Sequence, residues 1–365
     1  MNSSGRVETL DYWRGLLAIS VMIYHFLGWG GVPQGSATAL GKLGIYAVSM
    51  FYIISGCSMA IAYNNSKINT SWSISFALKR VLRIAPMYWI ATLLMAALVL
   101  IKTSGTASIE TPKIIANLGL YFGFYQPWYY IPVGGWSIGN ELVFYALFPI
   151  ALLAARSRAG WYLFALTSAA IYTYFAFFEL ERSSGLANQW RQYIHPANQW
   201  LLFVLGMSIP ATVRYVNAPR KAWIILAAIL ALVFFSFPVA GDQIVIVQGI
   251  NRISLTTVCF LLCVSIYGTA TLEMKYISKV LSHLGKTSYS IYMLHGAAAF
   301  YALYFIDSFY PEHATIKTQI LLFIVAPAVV ILSSLTFKFI EAPIMRIGKT
   351  LITKTKASRL DSSPT

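Results

Sequence analysis

Apolar residues run along this chain in long blocks, and short polar stretches separate one block from the next. IATLLMAALVL (residues 90–100), WIILAAILALVFF (223–235) and ILLFIVAPAVVILSSL (320–335) each extend through neutral neighbours toward the roughly 20 residues that cross a hydrocarbon core. The pattern predicts spans near residues 10–27, 44–63, 84–101, 137–154, 161–178, 199–213, 222–239, 251–270, 288–306 and 319–337. Such segments are helical because lipid offers no partner to a free backbone N–H or C=O, so each segment must satisfy its own. The expected fold is all-α: a polytopic membrane protein of about ten transmembrane helices with both termini cytoplasmic.

Residues 114–127 are apolar and aromatic but too short for an eleventh span, and inserting one would move Arg156, Arg158 and the later basic loops outside. A re-entrant or interfacial element at the outer face is expected there. No internal repeat, low-complexity linker or soluble domain breaks the pattern. One transmembrane domain over 1–345 and a flexible, polar cytoplasmic tail over 346–365 are expected. Asp11 and Arg14 interrupt the first block, which argues against a cleaved signal peptide.

Composition agrees with lipid as the main solvent. The 365 residues are 58% hydrophobic and only 11% charged, too apolar for one water-soluble core. A formal net charge of +15 first suggests nucleic acid, but the placement of the charge answers differently. With the N-terminus inside, 20 of the 27 basic residues fall on the cytoplasmic side; only Lys42, Lys102, Lys113, Arg182, Arg191, Arg252 and Lys317 fall outside. That asymmetry orients the chain in a bilayer and needs no nucleic-acid partner. Cys57, Cys259 and Cys263 lie in predicted spans without metal-ligand spacing, so they read as packing residues and no metal site is expected.

Four stretches carry ionisable or hydroxyl groups where lipid makes them costly. In DYWRGLLAISVMIYH (11–25), Arg14 and His25 are eleven residues apart, about three turns plus 20°, which puts both on one helical face about 16 Å apart. Arg14 then lies toward the cytoplasmic end and His25 toward the outer end, unless they are a snorkelling anchor and a histidine bonded within the bundle. In LKRVLRIAPMYW (78–89), Arg80 and Arg83 stand side by side at i and i+3, a spacing that suits a phosphate clamp and equally suits an orientation signal. In GGWSIGNELVFYALFP (134–149), Glu141 is expected about one turn below the outer surface and level with His25. A carboxylate there would fix the imidazole tautomer for general-base work. Trp136 reads either as part of an interfacial aromatic belt or as a site residue. In KTSYSIYMLHG (286–296), Tyr289, Ser290, Tyr292 and His295 bring hydroxyls and a second imidazole into the inner half of the bundle, for helix–helix hydrogen bonds or for a ligand. Ser55 and Gly56 permit close helix approach, and Glu341 is expected to balance nearby basic residues rather than to do chemistry.

Taken together and in chain order, these stretches resemble the acyltransferase-3 family of integral-membrane acyltransferases. Arg14 and His25 match the family's arginine and histidine with ten residues between, and Arg80 and Arg83 match its R-x-x-R. Trp136, Ser137, Glu141, Phe144 and Tyr145 match W-S-x-x-x-E-x-x-F-Y; Ser288, Tyr289, Tyr292 and His295 match S-Y-x-x-Y-x-x-H; Ile340, Glu341 and Pro343 match I-E-x-P. Phe51, Ser55 and Gly56 match F-x-x-S-G only loosely. Leu142 stands where many members carry a second acid, and the C-terminal hydrolase-like domain of many members is not expected here.

The resemblance implies a membrane-embedded O-acyltransferase of the O-antigen or exopolysaccharide type. Such proteins move an acetyl group from cytoplasmic acetyl-CoA to a carbohydrate hydroxyl at the extracytoplasmic face of the bacterial inner membrane. It implies acetyl-CoA as donor substrate and no permanently bound cofactor. On that basis His25 and Glu141 are catalytic, Arg14, Arg80, Arg83, Tyr289 and His295 hold the acyl-CoA, and Trp136, Ser137 and Asn140 face the acceptor. His25 either deprotonates the acceptor hydroxyl or carries the acyl group itself. A polytopic transporter of a small anionic or carbohydrate-like substrate would also bury Arg, His and Glu, but no inverted repeat or matched pair of broken spans appears in the sequence. A non-catalytic assembly or sensor protein of the envelope would use the same charges for orientation and packing alone.

Overall fold

A computed structural model of the chain describes residues 7–64, 66–106, 109–269, 275–310, 313–348 and 350. Its long helices fall on the predicted blocks: α1 Glu8–Trp29, α2 Ala39–Tyr63, α3 Thr70–Lys102, α4 Gly135–Ala154, α5 Arg158–Glu179, α6 Pro196–Val216, α7 Arg220–Ser236, α8 Gly249–Thr269, α9 Lys275–Phe309 and α10 Ala314–Gly348. Among the described residues there is no strand. Seven of these helices, all but α1, α6 and α7, are long and apolar enough to cross a membrane. The chain is an all-α polytopic membrane protein. α10 runs to Gly348, past the boundary expected at 345, and residues 351–365 of the expected tail lie outside the described residues.

Helix starts follow local chemistry. The side chains of Thr38, Asn69 and Ser157 accept from the backbone N–H groups of Gly41, Trp72 and Gly160, each satisfying one of the donors that a helix start leaves free. Pro196 opens α6, where its missing N–H costs nothing. α2 is the central helix, with 72% of its most apolar stretch buried, whereas α5 and α10 turn Leu163, Phe178 and Phe323 outward. Outward apolar faces are a liability in water and the normal state in lipid.

Glycines set the closest helix approaches. α1 and α9 run parallel and touch at Gly15 and Gly285, where a Cβ on Gly15 would stand 2.8 Å from the Gly285 nitrogen and one on Gly285 would overlap the Asp11 carbonyl. α2 and α6 meet in the same reciprocal way, Gly56 against the Phe203 carbonyl and Gly206 against the Ile53 carbonyl. In lipid, where burial of apolar area gives helices no reason to associate, such backbone proximity supplies the packing.

Residues 111–129 form a cap rather than a span. The helix Thr111–Leu118, the turn Phe122–Tyr125 and the 3₁₀ turn Pro127–Tyr129 fold onto α3 and α4. An eight-residue helix is about 12 Å long, far short of a bilayer. Asn117, fully buried, pins the cap: its Oδ1 accepts from the Tyr88 hydroxyl (2.5 Å) and the Ile131 N–H (3.0 Å), and its Nδ2 donates to the Lys113 and Tyr129 carbonyls (2.7 Å each). Gly123 rests on the backbone of Gly139 in α4.

Four of the seven cations predicted to lie outside have partners among the described residues. Lys42 Nζ donates to the Phe235 and Phe237 carbonyls at the end of α7 (2.8 and 2.9 Å). Arg252 donates to the Asn198 carbonyl (3.1 Å) and lies 4.1 Å over the Tyr172 ring. Arg191 covers the Trp128 ring at 4.8 Å, and Lys317 pairs with Asp307 at 2.7 Å. Each contact returns part of the hydration that the cation loses.

The reciprocal glycine contact generates a prediction. Gly285→Leu drives a branched side chain into the α1 backbone, so it should lower the melting temperature of the detergent-solubilised protein by several degrees, corresponding to roughly 1–3 kcal/mol of overpacking. A scanning-fluorimetry melting curve that matches wild type would show that the two helices do not touch there.

Candidate active site

The parallel register of α1 and α9 decides which side chains meet. With Gly15 against Gly285, ten residues of rise along each helix bring His25 and His295 to the same level. Their rings stand edge to face, 5.2 Å between centroids. His295 is buried, and its Nδ1 lies 2.6 Å from the Tyr292 carbonyl oxygen, one turn back on α9. A carbonyl only accepts, so Nδ1 carries the proton and Nε2 holds the lone pair.

Three cavities lie in series along this seam. The end where α1 begins opens into a cavity of about 640 Å³, here termed the basic cavity, whose wall includes Arg14, Lys79, Arg80, Arg83, Lys286 and Arg346 with Asp11 as the acid. A narrow middle cavity of about 140 Å³ shares Arg14, Ser58, Arg80 and Arg83 with it and adds Ser55, Glu141, Tyr145 and Tyr289. The far cavity, about 620 Å³, holds His25 and His295 and shares Val48 and Tyr292 with the middle one. Tyr292 therefore stands at the neck between them. Its Oη is 2.9 Å from Ser137 Oγ and 3.3 Å from the Gly134 carbonyl, and Gly134 has φ +75°, where a Cβ would meet the phenol ring at 2.8 Å.

The arginines are held rather than loose. Arg14 donates to Ser58 Oγ (3.0 Å) and lies 3.5 Å from Asp11, one turn away. Arg80 donates to the Tyr63 hydroxyl (3.3 Å) and stands over the Tyr63, Phe76 and Tyr145 rings at 5.7–5.8 Å. Its Nε is buried and unpaired among the described residues. Arg83 is exposed at the entrance. Tyr289 donates to the Ile84 carbonyl (2.7 Å), tying α9 to α3 beside the two arginines. Glu341 is buried and accepts from Ser290, which receives a further hydroxyl from Thr336 (3.1 Å).

The far cavity is walled by aromatic rings brought from the start of α4 and from two loops. Trp136 contacts Trp190 and Tyr193 at centroid distances of 5.6 and 5.7 Å, and Trp190 Nε1 donates to the Tyr130 hydroxyl (2.9 Å). Burial pushes the Tyr130 phenol above its ordinary pKa, so it stays neutral. Asp242 Oδ1 accepts from the Leu186 and Ile244 N–H groups, 2.8 Å each, and so fastens the loop carrying Trp190 to the one before α8.

Several expectations change in the folded chain. Glu141 lines the middle cavity with the arginines and His25 lines the far one, so the two do not pair. The reason is the cap over residues 111–129: it covers the start of α4, so a residue nearly two turns in sits deeper than one counted from an exposed surface. His295 was expected in the inner half with the acyl-CoA group, but α9 begins at Lys275 rather than near 288, and its glycine register lifts His295 to the level of His25. Of the three acceptor-side residues only Trp136 lines the far cavity. Ser137 lines the middle one, and Asn140 is buried one layer behind the wall, donating to the Tyr52 hydroxyl (3.2 Å). Arg14, Arg80, Arg83 and Tyr289 are brought together as expected. Sequence reasoning did not assign Lys79, Lys286, Arg346, Trp190 or Tyr193 to the site; nothing in local spacing distinguishes these lysines from topology signals or these aromatics from a belt.

Thiol labelling tests the two entrances. Cys57, Cys259 and Cys263 are buried and form a silent background. Arg83→Cys should react with a membrane-impermeant maleimide only in inverted vesicles, and Ala187→Cys, exposed on the wall of the far cavity, only from the opposite side. Labelling of both from the same side would contradict a path through the bundle.

Neither a curated protein nor a solved structure matches the chain. A family model described as an acyltransferase domain does, over residues 7–338, which takes in Arg14, Arg80, Arg83, the neck and both histidines but not Arg346. The chain belongs to the acyltransferase-3 family.

Proposed function

We propose that this protein moves an acetyl group from cytoplasmic acetyl-CoA to a hydroxyl of a carbohydrate, a surface polysaccharide or O-antigen, at the extracytoplasmic face of a bacterial inner membrane. The observation that supports it most is the series of three cavities joining a cationic entrance to a pair of imidazoles. An acyl-CoA is an elongated polyanion with its reactive carbonyl at the uncharged end, and the path has the same polarity. The diphosphate and ribose phosphate bind in the basic cavity, where guanidinium forks and ammonium groups match phosphate oxygens. The pantetheine arm threads the narrow middle cavity. Arg14 and His25 are about 16 Å apart along α1, the span that this arm must bridge.

In the far cavity His25 takes the proton from the acceptor hydroxyl as the oxygen attacks the thioester carbonyl carbon. The carbon–sulfur bond breaks, and the leaving CoA thiolate takes up the proton that His25 received. The phenol of Tyr292, at the neck, exchanges its bond to the Gly134 carbonyl for one to the thioester oxygen as negative charge builds there. Glu141 acts away from the reacting atoms: beside the arginines, its carboxylate limits their mutual repulsion when the site is empty. The aromatic wall of Trp136, Trp190, Tyr193 and Tyr130 supports a sugar as acceptor, because flat apolar faces with polar edges complement pyranose rings. Attack from this cavity leaves the acetyl ester on the opposite side from the donor.

Two variants separate donor binding from chemistry. Arg83→Ala should raise the KM for acetyl-CoA about tenfold or more with little change in kcat, the loss of one charge-assisted contact. His25→Ala should lower kcat at least 100-fold with KM nearly unchanged. The measurements are CoA thiol release by protein in nanodiscs and the acetyl-ester content of surface glycans by NMR. Wild-type protein that binds acetyl-CoA without releasing thiol or changing ester content would end the proposal.

A further inference from the structure

His25 is left without the carboxylate expected to orient it, and the side chain that meets it instead is His295. The His295 ring packs against α1 alone on one side: His25 edge-on at 5.2 Å, Trp29 stacked at 5.9 Å with the planes 12° apart, and Phe26 at 6.5 Å. Its Nδ1 is turned back to the Tyr292 carbonyl of its own helix, which leaves Nε2 pointing away from α9. That nitrogen is buried and has no hydrogen-bond partner among the described residues, although the residue itself is only 1% exposed. An unpartnered acceptor at this depth carries an uncompensated desolvation cost, which calls for a physical reason.

We infer that His295 is the positioning residue for His25: its Nε2 accepts the N–H of the His25 imidazole, fixing the tautomer that presents the other nitrogen to the acceptor hydroxyl. The rings are already in contact, with centroids 5.2 Å apart and planes at 83°, and a turn of His25 about χ2 brings one of its nitrogens round to face His295 Nε2. The Tyr292 carbonyl does for His295 what His295 does for His25, so a backbone oxygen anchors the chain Tyr292 C=O···H–Nδ1 His295 Nε2···H–N His25. When His25 receives the hydroxyl proton, both of its nitrogens are protonated, and the one facing His295 keeps its acceptor. No atom is gained or lost in the pair: the proton taken from the hydroxyl leaves on the CoA thiolate. A neutral acceptor suits this site better than a carboxylate, which would itself have to be desolvated in the lipid-embedded half of the bundle.

This inference rests on the acyl-transfer reading and is tested separately from it, using CoA thiol release from acetyl-CoA by the full chain in nanodiscs, with extracted envelope glycan as acceptor. His295→Leu removes the acceptor nitrogen and should lower kcat at least 30-fold while the KM for acetyl-CoA stays within about twofold. His295→Gln, whose amide oxygen replaces Nε2 as acceptor, should recover at least a tenth of wild-type kcat. The double variant His25→Ala/His295→Leu should be no slower than His25→Ala alone, because a residue that acts through His25 has nothing left to position. Losses that multiply in the double variant, a glutamine no better than leucine, or unchanged kcat in His295→Leu would each overturn the inference. Absence of thiol release by wild type would instead overturn the transferase reading. If His295→Leu fails to fold, the glutamine variant and its double with His25→Ala still decide, since glutamine keeps the polarity of the position.

Discussion

The contact of Gly15 with Gly285 is the constraint on which the rest depends. Two parallel helices that meet backbone to backbone cannot slide without opening a gap or forcing a clash, so the register between α1 and α9 is a property of this one contact. Everything chemical on the two helices inherits it. Arg14 is held at the level of the basic cavity, His25 at the level of His295, and Tyr292, one turn below His295, at the neck. Hydrophobic attraction cannot do this in a bilayer, because lipid tails compete equally for every apolar face. Register in lipid must come from shape and from hydrogen bonds.

The hydrogen bonds of the bundle are concentrated where shape alone would leave a void. Asn117 locks the cap with four bonds, Asp242 joins two loops through two backbone donors, and Tyr289 reaches across to the Ile84 carbonyl. Each bond consumes a polar group that would otherwise face hydrocarbon, so the cost of burying the group is offset by the order it imposes. Of the buried polar atoms without a partner among the described residues, Arg80 Nε and His295 Nε2 belong to residues on cavity walls, the first in the cationic half and the second in the far half.

Charge is arranged along the same axis. At the far end Lys42 and Arg252 are capped by carbonyls, Arg191 lies over a ring and Lys317 is paired with an acid. At the basic end six cations share one cavity with a single acid. An anionic ligand thus meets an attractive field on one side of the bundle and a nearly neutral aromatic chamber on the other. That polarity suits the elongated polyanion proposed as donor.

The sequence by itself determined the class, all-α and polytopic in the membrane, because the length of apolar blocks reports directly on the thickness of hydrocarbon to be crossed. It also determined the grouping of Arg14, Arg80, Arg83 and Tyr289, since these stand at helix levels that residue counting estimates well, and the family, since its motifs are spaced in chain order. Pairings across helices were decided only in three dimensions. Counting placed Glu141 beside His25 and His295 in the inner half, and both failed for one reason: depth was reckoned from helix ends, while a cap over α4 and an early start for α9 shifted those ends. Trp190, Tyr193 and Asp242 were likewise invisible, because the loops that carry them acquire a shared wall only when the helices beneath them are set in register. A one-dimensional pattern records how far along its own helix a side chain lies; which neighbour it meets depends on the sliding of one helix past another, and close backbone contact sets that.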